Sequence, residues 1–248
     1  MTLKQKTKSH IKQCLPPIIV DAVRRARGSA VASDFRLPEI DLCEIVPDLE
    51  NVTTSFPASQ IQRTRGMVLP LVDLLSISAM CASRQPQRVF EIGTYPGSTT
   101  LLMAMNTAAS AELFTLDLRV DDMPESWLDA NGNPPFEAGV QFRDTPFQSK
   151  IRQLFGRSDT FDFSPYKGTI ELVYIDANHS CDAVLRDSEI AFELVSPDGI
   201  IVWDDYRWLP EHSAVVGVTN ALHQLSTSHD IRQLANTRLA VLLPGSLS

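Results

Sequence analysis

The sequence predicts an α/β fold built on a doubly wound, mostly parallel sheet, and three features of the chain predict it. An apolar run at 88–92 leads through a glycine turn into a helix start, which is how a nucleotide-binding α/β domain opens. Farther on, the apolar runs 170–176 and 200–205 flank a predicted helix at the spacing of a right-handed βαβ unit. The last two predicted strands, 230–234 and 238–243, are joined so closely that they must pair antiparallel.

The remaining elements follow from the same kind of pattern. Apolar runs at 112–117 and 151–155 supply two further strands, which makes a Rossmann-like sheet of seven strands with an antiparallel C-terminal hairpin. The polar stretch 120–145 shows no such periodicity and is predicted to be a long loop that covers the ligand end of the sheet as a lid. Helices are predicted at 66–83, from Ser98 onward, at 181–195 and at 215–225.

Length and charge bound the domain organisation. The 248 residues suffice for one large domain, or for a smaller α/β domain with an N-terminal addition. The net charge of −8 excludes nucleic acid as the main partner, because a phosphate backbone needs a basic face. The first 30 residues nevertheless carry seven Lys and Arg against one Asp. We predict an N-terminal basic helix and extended cover at 1–62, followed by the α/β domain at 63–248.

The chain shows no membrane-spanning or secretory signal. No apolar run reaches about 18 residues, and the N-terminus lacks the apolar region of a signal peptide. The four cysteines are scattered, which predicts neither a zinc cluster nor a disulfide framework. We therefore expect a cytoplasmic protein, and one interpretation of residues 1–30 is contact with the inner face of the membrane. The alternatives for that segment are a solvated helix or an arm packed on a partner subunit, and a homodimer is the expected assembly.

The glycine turn has a spacing that separates two kinds of cofactor site. A dinucleotide fingerprint has its second glycine where Tyr95 stands here, so the turn reads Glu91-x-Gly93-x-x-x-Gly97 instead. An acid at the strand end suits a ligand with a cationic group. The alternative is an ordinary strand-to-helix turn with a surface Glu. Asp117 ends the next strand 20 residues beyond Gly97, the position from which an acid accepts hydrogen bonds from a ribose.

Acids also end the two strands of the βαβ unit. Asp176 ends the first of these strands, and Asp204 and Asp205 end the second. If these strands are neighbours, their ends lie about 5 Å apart, so the carboxylates must share a cation or be protonated. Oxygen ligands without a nearby Cys favour Mg²⁺, or Ca²⁺ or Mn²⁺, whereas the alternative is that some of these acids cap helices or bind Arg. His179 follows at once and could accept a proton there, unless it caps the helix.

Two motifs carry a resemblance to a known family. The first motif is Asp-Ala-Asn-His-Ser at 176–180. The second motif follows after one predicted helix and is Ser-Pro-Asp-Gly-Ile-Ile-Val-Trp-Asp-Asp-Tyr at 196–206. With the glycine turn, they resemble class I S-adenosylmethionine-dependent methyltransferases, and in particular the metal-dependent sugar O-methyltransferases that include the macrocin and aminocoumarin enzymes and bacterial glycan-cluster enzymes. Catechol O-methyltransferase is a more distant relative. The resemblance covers about 88–243.

The resemblance implies a role for each matching position. His179 is the implied general base. Arg157 departs from the family pattern, which often has Gly-Asp-Ser where this chain has Gly-Arg-Ser. The implied ligands of Mg²⁺ or another divalent cation are Asp176, Asp204 and Asp205. The implied contacts to S-adenosylmethionine are Glu91, Gly93, Thr94, Gly97, Ser98, Asp117, Leu118, Ser158 and Asp176.

These implications define one leading hypothesis and two rivals. The leading hypothesis is a Mg-dependent O-methyltransferase that transfers a methyl group to a hydroxyl of a sugar, a glycan or a similar polyol in polysaccharide biosynthesis. The first rival is a phenolic or catechol-type O-methyltransferase with the same metal site. The second is a non-catalytic subunit of a glycan-synthesis complex that binds S-adenosylmethionine without turning it over.

Overall fold

The computed structural model describes residues 36–57, 70–207 and 216–245. These residues form eight strands and five α-helices joined by short 3-10 turns. The strands are β1 Glu39–Ile40, β2 Arg88–Ile92, β3 Glu112–Asp117, β4 Ile151–Phe155, β5 Ile170–Ile175, β6 Val195–Trp203, β7 Ile231–Leu234 and β8 Ala240–Leu242. The helices are α1 Leu42–Ile45, α2 Leu71–Arg84, α3 Ser98–Met105, α4 Cys181–Leu194 and α5 Val216–Leu225.

All eight strands lie in one sheet in the order β1-β7-β8-β6-β5-β2-β3-β4. The pairs β2–β3, β2–β5, β3–β4 and β5–β6 are parallel, whereas β8 runs antiparallel to both β6 and β7. The predicted Rossmann-like α/β fold with an antiparallel C-terminal hairpin is therefore confirmed. Because β5 and β6 are neighbours, the acids that follow them emerge at the same edge of the sheet, as the βαβ spacing predicts.

The sheet has one strand more than predicted, and that strand comes from the segment expected to be irregular. Residues Glu39–Ile40 pair in parallel with β7, and α1 follows directly. Ile40, Ile45 and Val46 are buried, so this segment contributes to the core. Part of the predicted cover thus belongs to the same sheet as the rest of the fold. The predicted boundary at 62/63 lies outside the described residues.

The start of β6 also differs from expectation. The sequence predicts this strand from residue 200, but residues 196–199, which have the composition of a turn, also lie within β6, which begins immediately after α4. Here the register between β5 and β6 shifts, and a side chain on Gly199 would come within 2.7 Å of the carbonyl oxygen of Ile170. The Ser-Pro-Asp-Gly sequence therefore accommodates an irregular close approach of two strands rather than a reversal of the chain.

Alternation along the strands builds two cores, one on each face of the sheet. Phe90 faces one core with residues of α4 and α5, and the adjacent Val89 faces the other with residues of α2 and α3. Helices on both faces leave only the strand ends open to a ligand. Among the described residues, no helix combines the length and apolar character needed to cross a bilayer. The predicted membrane contact of residues 1–30 lies outside the described part of the chain, and the dimer stays a prediction.

Candidate functional site

The glycine turn after β2 is held against the end of β5. Gly93 has φ +103°, and a Cβ built on it would lie 2.1 Å from the carbonyl oxygen of Asp176. The amide of Asp176 donates to the carbonyl of Ile92 at 2.9 Å, so the two strand ends are joined directly. Only glycine fits this combination of positive φ and close backbone contact. The predicted cofactor turn and the predicted metal ligand Asp176 are therefore adjacent.

Glu91 is buried beneath the turn and not exposed beside it. Its side chain is 1% exposed and accepts hydrogen bonds from the hydroxyls of Thr100 and Thr115, the latter at 2.6 Å. Burial raises the pKa of Glu91 to about 8, although both hydroxyls oppose that shift. The alternative of a surface Glu is thus excluded. Burial therefore favours the protonated form of Glu91.

Asp117 ties the end of β3 to the glycine turn. Its Oδ2 accepts from the amide of Tyr95 at 2.6 Å, and its Oδ1 accepts from the amide of Leu118 at 2.7 Å. Burial raises the pKa of Asp117, and these backbone hydrogen bonds lower it. Thr94 is buried, with its hydroxyl 2.7 Å from that of Thr115. Asp117, which is only half-buried, therefore stays at the cleft, whereas Thr94 points into a polar network below it.

The predicted lid is fastened to the outer side of the same turn. The amides of Gly139 and Gln141 donate to the carbonyls of Tyr95 and Pro96 at 3.0 and 2.9 Å. A Cβ on Gly97 would lie 2.6 Å from the ring of Phe142, so the second glycine of the motif makes room for this loop. Ser98 begins α3 directly behind the turn.

The turn after β4 contains Ser158 and the departure from the family pattern. Arg157 makes two hydrogen bonds, of 2.9 and 2.6 Å, with the carboxylate of Asp159. Ser158 makes a side-chain hydrogen bond with the buried Asp187 of α4. Burial raises the pKa of Asp187, and this hydrogen bond opposes that shift. The amide of Gly156 donates to the carbonyl of Asp117 at 2.9 Å. The turn thus lies beside the acid expected to bind ribose, and its Arg is engaged by a neighbouring Asp.

Three of the predicted residues converge at the ends of β5 and β6. The Nε2 atom of His179 lies 3.6 Å from Oδ1 of Asp176 and 3.4 Å from Oδ2 of Asp205. One possible ligand atom from each of these residues lies within 4.8 Å of the other two. The adjacent carboxylate of Asp176 raises the pKa of His179, and burial opposes that shift. We call this group the acid–histidine cluster.

Asp204 does not join the acid–histidine cluster. Its side chain is 4% exposed, and within the described structure its Oδ1 is buried without a hydrogen-bond partner. Burial, followed by repulsion from Asp176 and Asp205, raises the pKa of Asp204 well above its usual range. The structure therefore brings together Asp176, Asp205 and His179, whereas the ligand set expected from the resemblance had Asp204 in the place of His179.

Arg238 is a site residue that the sequence analysis missed. Its Nη1 donates to Oδ1 of Asp205 at 2.8 Å, and its Nε donates to Oδ2 of Asp73 at 3.0 Å. Its Nη2 lies 3.8 Å from Oδ2 of Asp204. Burial alone would lower the pKa of Arg238, but the surrounding carboxylates raise it. No local signal marks it, because its acidic partners are 33 and 165 residues away in sequence.

The strand order and the glycine turn define a class I methyltransferase fold, and comparison with known proteins agrees. Residues 90–206 match the family model described as a methyltransferase domain. This match spans the glycine turn and the acid–histidine cluster. Among curated proteins, none matches the chain significantly in sequence.

Solved structures with the same fold include several methyltransferases. The O-methyltransferase TomG from Streptomyces achromogenes, involved in tomaymycin synthesis and solved with SAM, is 17% identical with a TM-score of 0.55, covering 82% of this chain and 96% of its own. Cofactor-bound Rv0187 from MTB is 17% identical with a TM-score of 0.54, covering 92% and 96%. The SAH-bound methyltransferase PaMTH1 from Podospora anserina is 16% identical with a TM-score of 0.52, covering 98% and 97%.

These findings confirm the predicted resemblance to class I methyltransferases in fold. They also support the predicted class of enzyme, a SAM-dependent O-methyltransferase. The predicted roles of the individual site residues stay predictions, which substitution of those residues can test.

Proposed function

We propose that this methyltransferase transfers the methyl group of S-adenosylmethionine to a hydroxyl of a sugar, a glycan or a similar polyol, with a divalent cation at the acid–histidine cluster. The observation that carries the proposal is the position of that cluster. It lies at the ends of β5 and β6, and Asp176 contacts the glycine turn directly. A cofactor bound at the turn and an acceptor held at the cluster would therefore meet.

The residues present fit both bound groups. Gly93 and Gly97 leave room where a Cβ would collide with neighbouring atoms, and Asp117 offers a half-buried carboxylate at the adjacent strand end. Asp176 and Asp205 offer two carboxylates to a divalent cation, and His179 lies beside them, with one possible ligand atom of each residue within 4.8 Å of the others. A divalent cation held by the two carboxylates would lower the pKa of an acceptor hydroxyl that it contacts. Carboxylate oxygens suit Mn²⁺ as well as Mg²⁺.

The chain's own residues would position the acceptor and move one proton. In this proposal Asp176 and Asp205 hold the cation, and His179, which stays free of it, accepts the proton of the acceptor hydroxyl at Nε2. The acceptor oxygen then forms a bond to the methyl carbon as the carbon–sulfur bond breaks, which leaves S-adenosylhomocysteine.

A second candidate acceptor is a phenol or catechol, and one pair of side chains favours it. Tyr95 in the glycine turn and Phe136 in the lid are 38% and 42% exposed, and their rings meet edge to face at 4.9 Å. Exposed aromatic rings beside a cofactor turn offer a surface on which a planar acceptor could stack. The sugar proposal rests on the resemblance of the two motifs, so the acceptor must be settled by assay.

The experiment measures S-adenosylhomocysteine formed by the purified chain from S-adenosylmethionine with a panel of nucleotide sugars, glycans and catechols. Each acceptor is tested after chelation and after readdition of Mg²⁺ or Mn²⁺. We expect cation-dependent turnover with a polyol acceptor, and a loss of about 100-fold in His179→Ala. His229→Ala, which changes a histidine in the turn after α5, is the control and should keep full turnover.

Each other outcome removes a defined part of the proposal. Turnover with catechols alone would establish the second candidate. Full turnover after chelation would show that the reaction needs no cation. Full turnover in His179→Ala would show that His179 is not the general base. Calorimetric binding of S-adenosylhomocysteine without turnover on any acceptor would favour a non-catalytic subunit. If S-adenosylhomocysteine does not bind at all, the methyltransferase proposal is wrong.

A further inference from the structure

The guanidinium of Arg238 joins three carboxylates that come from distant parts of the chain. Asp73 lies in the first turn of α2, whereas Asp204 and Asp205 follow β6. Arg238 itself lies in the turn between β7 and β8, and its side chain is 22% exposed. One side chain therefore connects the helix that precedes the cofactor strand, the C-terminal hairpin and the acid–histidine cluster.

The contacts of Arg238 divide the two oxygens of Asp205 between different partners. Oδ1 accepts from Arg238 at 2.8 Å, and Oδ2 lies 3.4 Å from Nε2 of His179. The carboxylate torsion of an Asp is intrinsically broad, so its oxygens face fixed directions only when something holds them. By occupying Oδ1, Arg238 leaves Oδ2 facing the acid–histidine cluster.

Arg238 is in turn held at three points. Its amide and its Nε donate to the two oxygens of Asp73 at 3.2 and 3.0 Å, and its carbonyl accepts from the amide of Tyr206 at 2.9 Å. Asp73 is fully buried. A guanidinium offers several donors in one rigid plane, so it can bind Asp73 and Asp205 together, whereas a lysine ammonium is a single point of charge.

We infer that Arg238, held by Asp73, is a positioning residue that orients Asp205 for binding of a divalent cation. This inference rests on the proposed function, because it assigns Asp205 Oδ2 to the cation. Arg238 does not touch the acceptor or the cofactor in this account. It acts through Asp205, and Asp73 acts through Arg238. Partners of this kind around a metal ligand typically change metal affinity by about 10- to 100-fold.

A competing account gives Arg238 only the role of balancing charge. Four carboxylates lie close together at this edge, and a guanidinium relieves their repulsion whatever its orientation. The two accounts differ for Arg238→Lys, which keeps the positive charge but loses the planar set of donors. Charge balance predicts unchanged cation affinity in Arg238→Lys, and tighter binding in Arg238→Gln because a repelling charge is lost. Positioning predicts weaker binding in Arg238→Lys.

The experiment measures the dissociation constant of Mn²⁺ by the paramagnetic resonance signal of the free ion, using the purified full chain saturated with S-adenosylhomocysteine. We expect affinity to fall about tenfold or more in Arg238→Lys and in Asp73→Asn. Arg232→Lys is the matched control, since Arg232 lies in the same hairpin and pairs with the exposed Asp230. Affinity for S-adenosylhomocysteine and the melting temperature show that each variant is folded.

The outcomes separate this inference from the proposed function. If wild type binds Mn²⁺ and Arg238→Lys binds it within twofold of wild type, the positioning role is wrong and the cation site stands. If wild type binds S-adenosylhomocysteine but no Mn²⁺, both the cation site and the positioning role are wrong, and methyl transfer without a cation remains open. Should Asp73→Asn fail to fold, Arg238→Lys decides alone, because it leaves the buried acid in place.

Discussion

Asp204 and Asp205 are neighbours in sequence, yet they occupy different environments. Asp205 faces His179 at the cleft, whereas Asp204 is turned into the protein. Successive residues at the end of a strand point to opposite sides, so both carboxylates of such a pair cannot reach one cation without distortion of the backbone. Asp205 has φ +62°, which marks the point where the chain leaves the strand direction. The pair therefore offers a direct comparison of the two expected ligand sets.

We predict that Asp205→Asn weakens Mn²⁺ binding more than Asp204→Asn does. Asp205 supplies an oxygen to the acid–histidine cluster, and an amide oxygen is a weaker ligand than a carboxylate. An effect of about tenfold or more is expected for Asp205→Asn. Titration of Mn²⁺ into each variant measures it, with S-adenosylhomocysteine binding as the control. A larger loss in Asp204→Asn would restore the ligand set implied by the resemblance.

The sequence revealed the residues at strand ends but not the residue that connects them. Asp117, Asp176 and Asp205 could be predicted because each follows an apolar run, which places it at the ligand edge of a parallel sheet. Arg238 stands in a polar Asn-Thr-Arg turn with no such context. Its partners are set by the packing of α2 against the hairpin, and that packing has no local pattern in the sequence.

The lid is joined to the glycine turn, and this contact links two elements that the cofactor would touch. Phe142 is 6% exposed and packs where a Cβ of Gly97 or Gly139 would stand. Two backbone hydrogen bonds accompany it. The segment 137–142 is therefore held against the turn by backbone hydrogen bonds and by a buried ring.

We predict that Phe142→Ala loosens the lid. Removing a buried ring costs about 3 kcal/mol of stabilisation free energy. Here this loss weakens the contact between 120–145 and the glycine turn, so that local opening of the segment becomes more frequent. Faster amide exchange across 120–145, measured by mass spectrometry, is the expected result. Trp127→Ala is the matched control, because that side chain is 52% exposed in the same segment and its removal should leave exchange nearly unchanged. Equal exchange in the two variants would contradict this account of the lid.

Elements with their own periodicity were predictable, and elements made by pairing were not. The bounds of β3 and β4 agree with the predicted strands at 112–117 and 151–155. β3 is a mostly buried apolar run, whereas β4 is a partly exposed strand at the end of the sheet. Strand β1 has two residues, and only its pairing with β7 makes it a strand. Residues 196–199 have the composition of a turn, but their place beside β5 makes them part of β6. Both departures come from tertiary contacts that override local preference.

The stability of the whole molecule should depend on pH through Glu91. Its folded pKa of about 8 lies above the ordinary 4.5, so the folded state holds a proton that the unfolded chain releases. Stability from this group is therefore full below pH 4.5, falls as the pH rises from 4.5 to 8, and is constant above. The slope from one such group is at most about 1.4 kcal/mol per pH unit.

We predict that Glu91→Gln reduces this pH dependence. Glutamine keeps the shape and an acceptor for the hydroxyls of Thr100 and Thr115 but cannot ionise. Urea unfolding of wild type and variant at pH 5.5 and 8.5 measures the difference in unfolding free energy, which should favour the variant more at the higher pH. Glu112→Gln, at an exposed position of β3, is the control. Parallel pH dependences in wild type and Glu91→Gln would mean that Glu91 is ionised in the folded protein.

The short strand β1 has a consequence for where this chain can be divided. It covers part of the edge of β7 through hydrogen bonds from the amides of Gln233 and Ala235. An uncovered edge strand offers free amides and carbonyls to any other extended chain, which is a route to aggregation. A shortened protein that begins at residue 63, the predicted domain boundary, would retain the glycine turn and the acid–histidine cluster. It would lose the segment that shields the sheet from unwanted association, so low solubility of such a fragment would say nothing against its chemistry.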